Sequence, residues 1–342
     1  MKVPEGFKLR LDPEDDYTHT TEQAQNYNES MYINLFDFSK VMGGWFRIGN
    51  RPNEGHAEMT CCIYLPDRSV GFMYGRPKIS NNDALDAGGM HFEIVEPFER
   101  LRLTYDGKVC LLKNPLEMAD PRSAFKENPI VDCSVDIEYH MTSPCYGGEM
   151  VHEDGRQIEL EAEKSFARAH YEQHVGGSGT IKVGDEQWEV KGLGLRDHSW
   201  GPRYWQSIFM YRWLPMSFDD DFAAMISVIE SAKGQFRRSG MIQHGDEYHL
   251  IEDTTIETEW DENWHQTGMK IWARTEQAEY EITGKVISLI PLRNRRKSPD
   301  GEVLNTRIAE AMTEYRCQGK VGYGMSEYLD QTEDGKPVGS DV

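Results

Sequence analysis

The chain has 342 residues, a formal net charge of −21, 38% hydrophobic residues and 11% aromatic residues. That length calls for one large or two medium domains, and the apolar content is too high for a disordered chain. So large an acidic excess argues against a nucleic-acid surface, which needs clustered Lys and Arg, and against an anionic membrane surface.

The N-terminal "MKVPEGFKLRLDPEDDY" lacks the apolar stretch of a signal peptide, and no apolar run approaches the length of a membrane span. The expected location is the cytoplasm. Residues 1–30 read as a polar, acidic arm. Period-two alternation then takes over. "GGWFRIGNRPNEG", Gly43–Gly55, reads as a strand into a turn. Trp45, Arg47 and Gly49 share one face, and Arg47 and Glu54 are either a cavity pair or, the better reading, brackets of the turn. In "RLRLTY", Leu101, Leu103 and Tyr105 oppose Arg100, Arg102 and Thr104. In "CSVDIEYHM", Cys133, Val135, Ile137, Tyr139 and Met141 oppose Ser134, Asp136, Glu138 and His140. "GMKIWA" and "EYEITGKVISLI" follow the same rule. Clusters such as "LPDRS", "SFDDD" and "HGDE" separate the runs, the pattern of antiparallel sheets with one buried face. "LEMADPRSAFKENP" can hold a helical turn or two, and Gln157–Gln173 has the composition of a short helix or a linker. "FDDDF" lacks the spaced ligands of a calcium loop and reads as a hairpin tip. "LRNRRK", Leu292–Lys297, reads as a solvated loop. The six cysteines show no CxxC spacing and read as reduced core thiols.

Strand–turn–strand runs at Met31–Met73 and Gln206–Met241 are loosely alike. They predict an all-β protein of two similar antiparallel units, barrels or sandwiches, with few short helices. The expected domains are residues 31–160 and 161–342, after the arm of residues 1–30.

"KGLGLRDHSWGPRYW", Lys191–Trp205, concentrates polar and aromatic groups around a Gly-Pro turn. As a strand it puts Arg196, His198 and Trp200 on one face, and Leu195, Asp197 and Ser199 on the other. A cation, a titratable imidazole and an aromatic wall would line one cavity if the first face looks into a barrel. Asp197 could instead fix Arg196, Arg203 or a histidine tautomer. The competing reading is a buried ion pair that holds the turn. In "HYEQH", His170, Glu172 and His174 share a strand face, as in a two-His-one-carboxylate iron site, while a helix would set the histidines at Zn²⁺-binding spacing. A polar strand entering the second domain is the competing account. No GxSxG elbow, phosphate loop or dinucleotide fingerprint is present.

The segments "HYEQHVGGSGTIKVGDEQWEVKGLGLRDHSWGPRYW", "GGWFRIGNRPNEGHAEM", "EPFERLRLTYDGKVCLL" and "GYGMSEYL" together resemble a bacterial family of uncharacterised proteins. That family is remotely similar to the carotenoid 1,2-hydratase and AttH-like superfamily. "RDHSWGPR" is the most specific part, and the hydratase link rests on His198 and Trp200. The resemblance implies two lipocalin-like β-barrels and a hydrophobic small molecule as substrate. It implies hydration, dehydration or pericyclic cyclisation without a redox cofactor.

The expected function is therefore a cofactor-independent lyase or isomerase on a terpenoid, steroid or polyketide-like molecule. The acid would be a carboxyl group kept protonated by desolvation, Asp197 or Glu230. His198 would position water or take back the proton. Arg196, Trp200, Arg203, Trp205, Tyr211, Trp213 and Trp45 would contact substrate, with Trp200, Tyr211 and Trp213 lining an apolar wall. The alternatives are a lipocalin-like carrier, a cyclase working by shape, and a metal-dependent oxygenase using His170, Glu172, His174 and His198. Barrel edges are compatible with a homodimer.

Overall fold

The structure is a computed structural model that describes residues 3–162, 165–204, 208–232, 234–297, 303–333 and 335–337. It is all-β, with two compact units. The first comprises Met1–Ile63, Gly71–Leu111 and Pro129–Ser207; the second comprises Tyr64–Val70, Leu112–Asn128 and Ile208–Val342.

The first unit is built from β1 (Phe7–Arg10), β2 (Tyr27–Asp37), β3 (Met42–Arg51), β4 (His56–Tyr64), β5 (Val70–Gly75), β6 (Asp86–Ala87), β7 (Met90–Glu96), β8 (Arg100–Leu112), β9 (Ile130–Met141), β10 (Tyr146–His152), β11 (Ala169–Val183) and β12 (Glu186–Pro202). Its strand order is β1-β10-β11-β12-β2-β3-β4-β5-β8-β7-β6, and β9 pairs with both β11 and β8. Strands β11, β12, β2, β3, β4, β5, β8 and β9 therefore form a closed ring of pairings. The alternation in the sequence decides its inner face. Leu101, Leu103 and Tyr105 of β8 lie opposite Tyr139, Ile137 and Val135 of β9, and all six are buried.

The second unit comprises β13 (Met210–Ser217), β14 (Phe222–Ala232), β15 (Gln235–His244), β16 (Glu247–Trp260), β17 (Gln266–Thr275), β18 (Glu279–Lys297), β19 (Val303–Cys317), β20 (Lys320–Glu333) and β21 (Lys336–Pro337). Strands β13 to β20 follow in order, and β13 also pairs with β20, which closes an eight-stranded antiparallel barrel. Leu214, Met216, Ile226, Val228, Ile242, Ile271 and Tyr328 belong to its core. The helix α1 (Pro121–Glu127) and a 3-10 turn at Pro115–Ala119 form within "LEMADPRSAFKENP".

Several expectations need correction. The boundary is not at residue 160: β11 and β12 pair with β9 and β2, so the "RDHSWGPR" strand belongs to the first unit. Backbone pairing outweighs the sequence likeness of the halves. The arm is not an appendage, because β1 pairs with β10, a 3-10 turn at Pro13–Asp16 buries Asp16, and β2 begins at Tyr27. Gln157–Gln173 forms no helix among its described residues, and its end enters β11. "LRNRRK" is strand, the end of β18 paired with β19. All six cysteines are free thiols. Among the described residues, no helix is long and apolar enough to cross a membrane.

Candidate functional site on both faces of one strand

Strand β12 presents different chemistry on its two faces. Alternation sends Arg196, His198 and Trp200 inward, beside Gln173 and Tyr171 of β11 and Glu29, Met31 and Ile33 of β2. Two glycines let the strand fit. A Cβ on Gly194 would stand 2.1 Å from the Asn34 carbonyl oxygen. Gly201 has φ +111°, a conformation L side chains resist, and ends the strand so that Arg203 turns back over Ser199.

The inward cluster is a continuous chain of charges and hydrogen bonds. Arg196 donates to both Asp16 oxygens at 2.7 and 3.2 Å, and to Gln173 Oε1 at 2.8 and 3.1 Å. Asp16 also accepts from Tyr171 Oη at 2.7 Å and from the Phe98 amide at 2.6 Å. Tyr171 Oη lies 3.3 Å from His198 Nδ1, and His198 Nε2 lies 3.1 Å from Glu29 Oε1. Glu29 further accepts from Tyr27 Oη, Asn82 Nδ2 and the His19 amide, and its Oε1 is 2.7 Å from His19 Nδ1. The His19 ring stacks on Trp200 with centroids 3.9 Å apart. Burial pushes the Glu29 carboxyl up, but hydrogen bonds and charge from His19 and His198 outweigh it and hold the group at about 2. Burial lowers His19, yet Glu29 and Asp15 raise it overall.

His198 is 0% exposed and both its ring nitrogens are engaged. Arg196, Glu29 and Tyr171 are sealed to the same degree. Three members, Asp16, His19 and Glu29, come from the stretch read as an arm. The one sequence signal for them is that a buried arginine requires a carboxylate partner, and "PEDD" supplies it.

Asp197, Ser199 and Leu195 take the outward face, in register with Tyr32, Ser30 and Asn34 of β2, which in turn face Arg47, Gly49 and Trp45 of β3. On β11, His170 is the partner of Ser199 and Glu172 of Asp197. His170 Nε2 is hydrogen-bonded to Asp197 Oδ2. Burial lowers the imidazole's proton affinity, but the Asp197 charge and hydrogen bond reverse this and raise it to about 9. Burial likewise raises Asp197, while His170 and then Arg203 bring it below its ordinary value. Asp197 is therefore ionised at neutral pH, which corrects the expectation of a protonated carboxyl acid. His170 has a side chain 37% exposed, in contrast to His198. Tyr32 and Trp45 stack on this face with ring centroids 5.7 Å apart.

Other expected residues are dispersed. Glu230, Tyr211 and Trp213 belong to the second unit. Glu230 accepts from the Gly234 amide at 2.6 Å and is fully buried. Tyr211 and Trp213 alternate with the core residues Leu214 and Met216 and so take the other face of β13. Tyr211 Oη is bonded to Glu327. Glu230 pairs with Met210, two positions from the Val228 of the core, and does not share a face with Tyr211 and Trp213. Trp205 lies outside the described residues. Arg47 does not meet Glu54: it pairs with Glu58 at 3.4 Å, and Glu54 takes Arg51 at 3.0 Å. Among the described residues, the ligand atoms that converge within 4.8 Å are those of His170, Glu172 and Asp197, and separately those of His19, Glu29 and His198. His174 joins neither group, so the expected His170–Glu172–His174 triad is replaced by one that draws Asp197 from the neighbouring strand.

A family model for a domain of unknown function, DUF7064, matches residues 12–332. The chain belongs to the DUF7064 family. That match includes the 3-10 turn carrying Asp16, so the inward cluster falls wholly within the DUF7064 domain. Three solved structures share the fold. An AttH-like protein from Nitrosomonas europaea is 13% identical, with a TM-score of 0.58 over 95% of this chain and 98% of that one. CghA in complex with Sch210972 is 9% identical, with a TM-score of 0.56 over 91% and 90%. Kievitone hydratase from Nectria haematococca is 8% identical, with a TM-score of 0.56 over 93% and 92%. The remote similarity of this DUF7064 chain to the AttH and hydratase superfamily is thus one of fold. No curated protein sequence matches the chain.

Proposed function

We propose that the chain is a lyase or isomerase of the hydratase or dehydratase kind, acting without a redox cofactor on an apolar small molecule, with His170 as its proton donor. The observation that carries this reading is the partly exposed His170–Asp197 pair, with its raised imidazole, on the same face as the Tyr32–Trp45 stack. The fold shared with kievitone hydratase agrees with it but does not carry it, since one fold hosts many chemistries.

Asp197 holds the imidazolium by its Nε2 and leaves Nδ1 to exchange a proton with substrate. In the dehydrating direction, Nδ1–H protonates a leaving hydroxyl. The C–O bond breaks with its electron pair on oxygen, water departs, and the proton lost from the adjacent carbon passes to the now neutral His170 Nδ1 as the alkene forms. The reverse sequence hydrates the alkene. In this scheme Asp197 is the counter-ion rather than the acid. His198 acts through Tyr171 and Glu29 as a positioning residue that fixes β12 from inside.

The test is the titration of His170 by nuclear magnetic resonance in the full chain. The imidazole should titrate near 9, and Asp197→Asn should move it down toward about 6.5. A wild-type value at or below that ordinary figure overturns the acid role. A second reading rests on the convergence of His170, Glu172 and Asp197 ligand atoms, which suits a divalent metal. Stoichiometric metal in the purified protein, lost in His170→Gln, would favour it over the proton donor.

A further inference from the structure

Beside the His170–Asp197 pair, the outward face has a floor of small residues and a rim of guanidinium groups. One row crosses four strands: His170 of β11, Ser199 of β12, Ser30 of β2 and Gly49 of β3. The Ser30 and Ser199 hydroxyls are 3.1 Å apart. The Arg47 side chain folds over Gly49, so a Cβ there would stand 2.6 Å from Arg47 Nη2. Arg203 comes back over the same row, donating to Ser199 Oγ at 2.6 Å and lying over the Phe166 ring at 4.1 Å. In the next row Gly201 pairs with Asn28, and Arg51 follows Asn50, the β3 partner of Glu29. Arg203 thus reaches the serine row directly, and Arg47 and Arg51 stand close enough to it for their charges to be felt.

The hydrogen-bonding capacity of Arg47, Arg51 and Asn28 is not used up. Arg51 is 1% exposed, yet its Nε and Nη2 have no hydrogen-bond partner. Neither does Arg47 Nη2, nor either end of the fully buried Asn28 amide. The carboxylates on hand are few, and Glu172 stands with Asp197 at His170. Glu58 is shared by Arg47 at 3.4 Å and by Arg51 and Arg76 at 3.5 Å. Glu54 sits at the rim on Arg51 Nη1, and Asp197 is already bonded to His170. Burial lowers the proton affinity of Arg203 and repulsion from Arg47 and Arg51 adds to it, while attraction from Asp197 and Glu58 offsets this only in part. Buried donors without acceptors, in a patch with excess positive charge, are costly unless a ligand completes them.

We infer that Arg47, Arg51 and Arg203, with Ser199 and Asn28, bind a carboxylate, so that the substrate is an apolar carboxylic acid whose body lies along Tyr32 and Trp45 toward His170. Arginine forks match the planar oxygen pair of a carboxylate. The excess over Glu54 and Glu58 is small, which suits one negative charge better than a phosphate dianion. The inference rests on the reading of His170 as the group facing substrate, but its test does not depend on turnover.

The experiment is a binding titration of the full chain with octanoate and phenylacetate, their neutral amides and inorganic phosphate, followed by tryptophan fluorescence and thermal stability. The expected result is saturable binding of at least one carboxylate, tenfold or more tighter than its amide and than phosphate. Arg51→Gln should weaken it about tenfold or more, while His170→Gln should retain it. Relief of repulsion should also leave Arg51→Gln and Arg203→Gln no less heat-stable than the wild type without ligand, whereas arginines serving only as structural ion pairs would leave the variants less stable. Equal binding of acid and amide, tighter binding of phosphate, no binding of either acid up to tens of millimolar, or undiminished carboxylate binding by Arg51→Gln would each overturn the inference. Carboxylate binding lost in Arg51→Gln together with an unshifted His170 titration would refute the acid role of His170 and leave the carboxylate site standing.

Discussion

Single side chains carry the electrostatics of this protein, and their titration has consequences of opposite sign. Glu29, held at about 2 against an ordinary 4.5, contributes on the order of 3 kcal/mol of stability at neutral pH. Because its folded value is depressed, that contribution is present above the ordinary carboxyl range and lost as pH falls through it toward 2. Glu29→Gln should therefore be less stable than wild type at pH 7 by about that amount, with the gap closing as the medium approaches pH 2. Urea midpoints measured across that range check it, and a gap independent of pH would contradict it. His19 and His170 have raised values, so their contributions are full below the ordinary histidine value and fade as pH rises through the folded one. Activity that depends on imidazolium at His170 should likewise fall above about 9. In Asp197→Asn that limb should move to lower pH, with kcat reduced roughly 10²–10⁴-fold. A pH–rate profile unchanged by the substitution would remove His170 from the chemistry.

At the scale of the element, β12 is held from both sides by different means. Inside, Arg196 ties it to the 3-10 turn at Pro13–Asp16 through the bidentate contact with Asp16. Removing one partner of a buried pair leaves the other charge uncompensated, so Arg196→Met should cost about 3–5 kcal/mol, and Asp16→Leu combined with Arg196→Met should recover much of it. Chemical denaturation of the single and double variants checks this; a single variant within about 1 kcal/mol of wild type would show that the pair does not anchor the strand. Alternation in "GLGLRDHSWG" correctly separated Arg196, His198 and Trp200 from Asp197 and Ser199. It was silent on which face a ligand could reach. That depends on what stands opposite each face, and those residues are as much as 180 positions away.

At the scale of the whole chain, the two units are not the two halves of the sequence. The first takes in residues up to Ser207, and the second draws Tyr64–Val70 and Leu112–Asn128 from within the N-terminal half. Cutting the chain between residues 160 and 161, where composition places a boundary, separates β11 and β12 from β9 and β2. Neither fragment should fold cooperatively by circular dichroism and thermal melting. A 161–342 fragment with a sharp transition and native tryptophan fluorescence would contradict the pairing that defines the first unit.

What the sequence determined by itself is the periodic part. Period-two alternation, turn chemistry and scarce helix signals sufficed for an all-β protein of two units, because strand faces follow from local pattern. The same alternation placed Cys133, Val135, Ile137 and Tyr139 in the core. "RDHSWGPR" was also legible as the place where polar chemistry concentrates. Only the tertiary structure decided what those groups do. Asp16, His19 and Glu29 reach His198 and Arg196 across long stretches of chain, and His170 reaches Asp197 from the neighbouring strand. Ionisation follows the partners a group meets, so Asp197, expected as a protonated acid, is an ionised counter-ion. The arginines of β3 come near Ser199 and Arg203 because register sets β3 and β12 on either side of β2, and register is a property of the sheet rather than of any one segment.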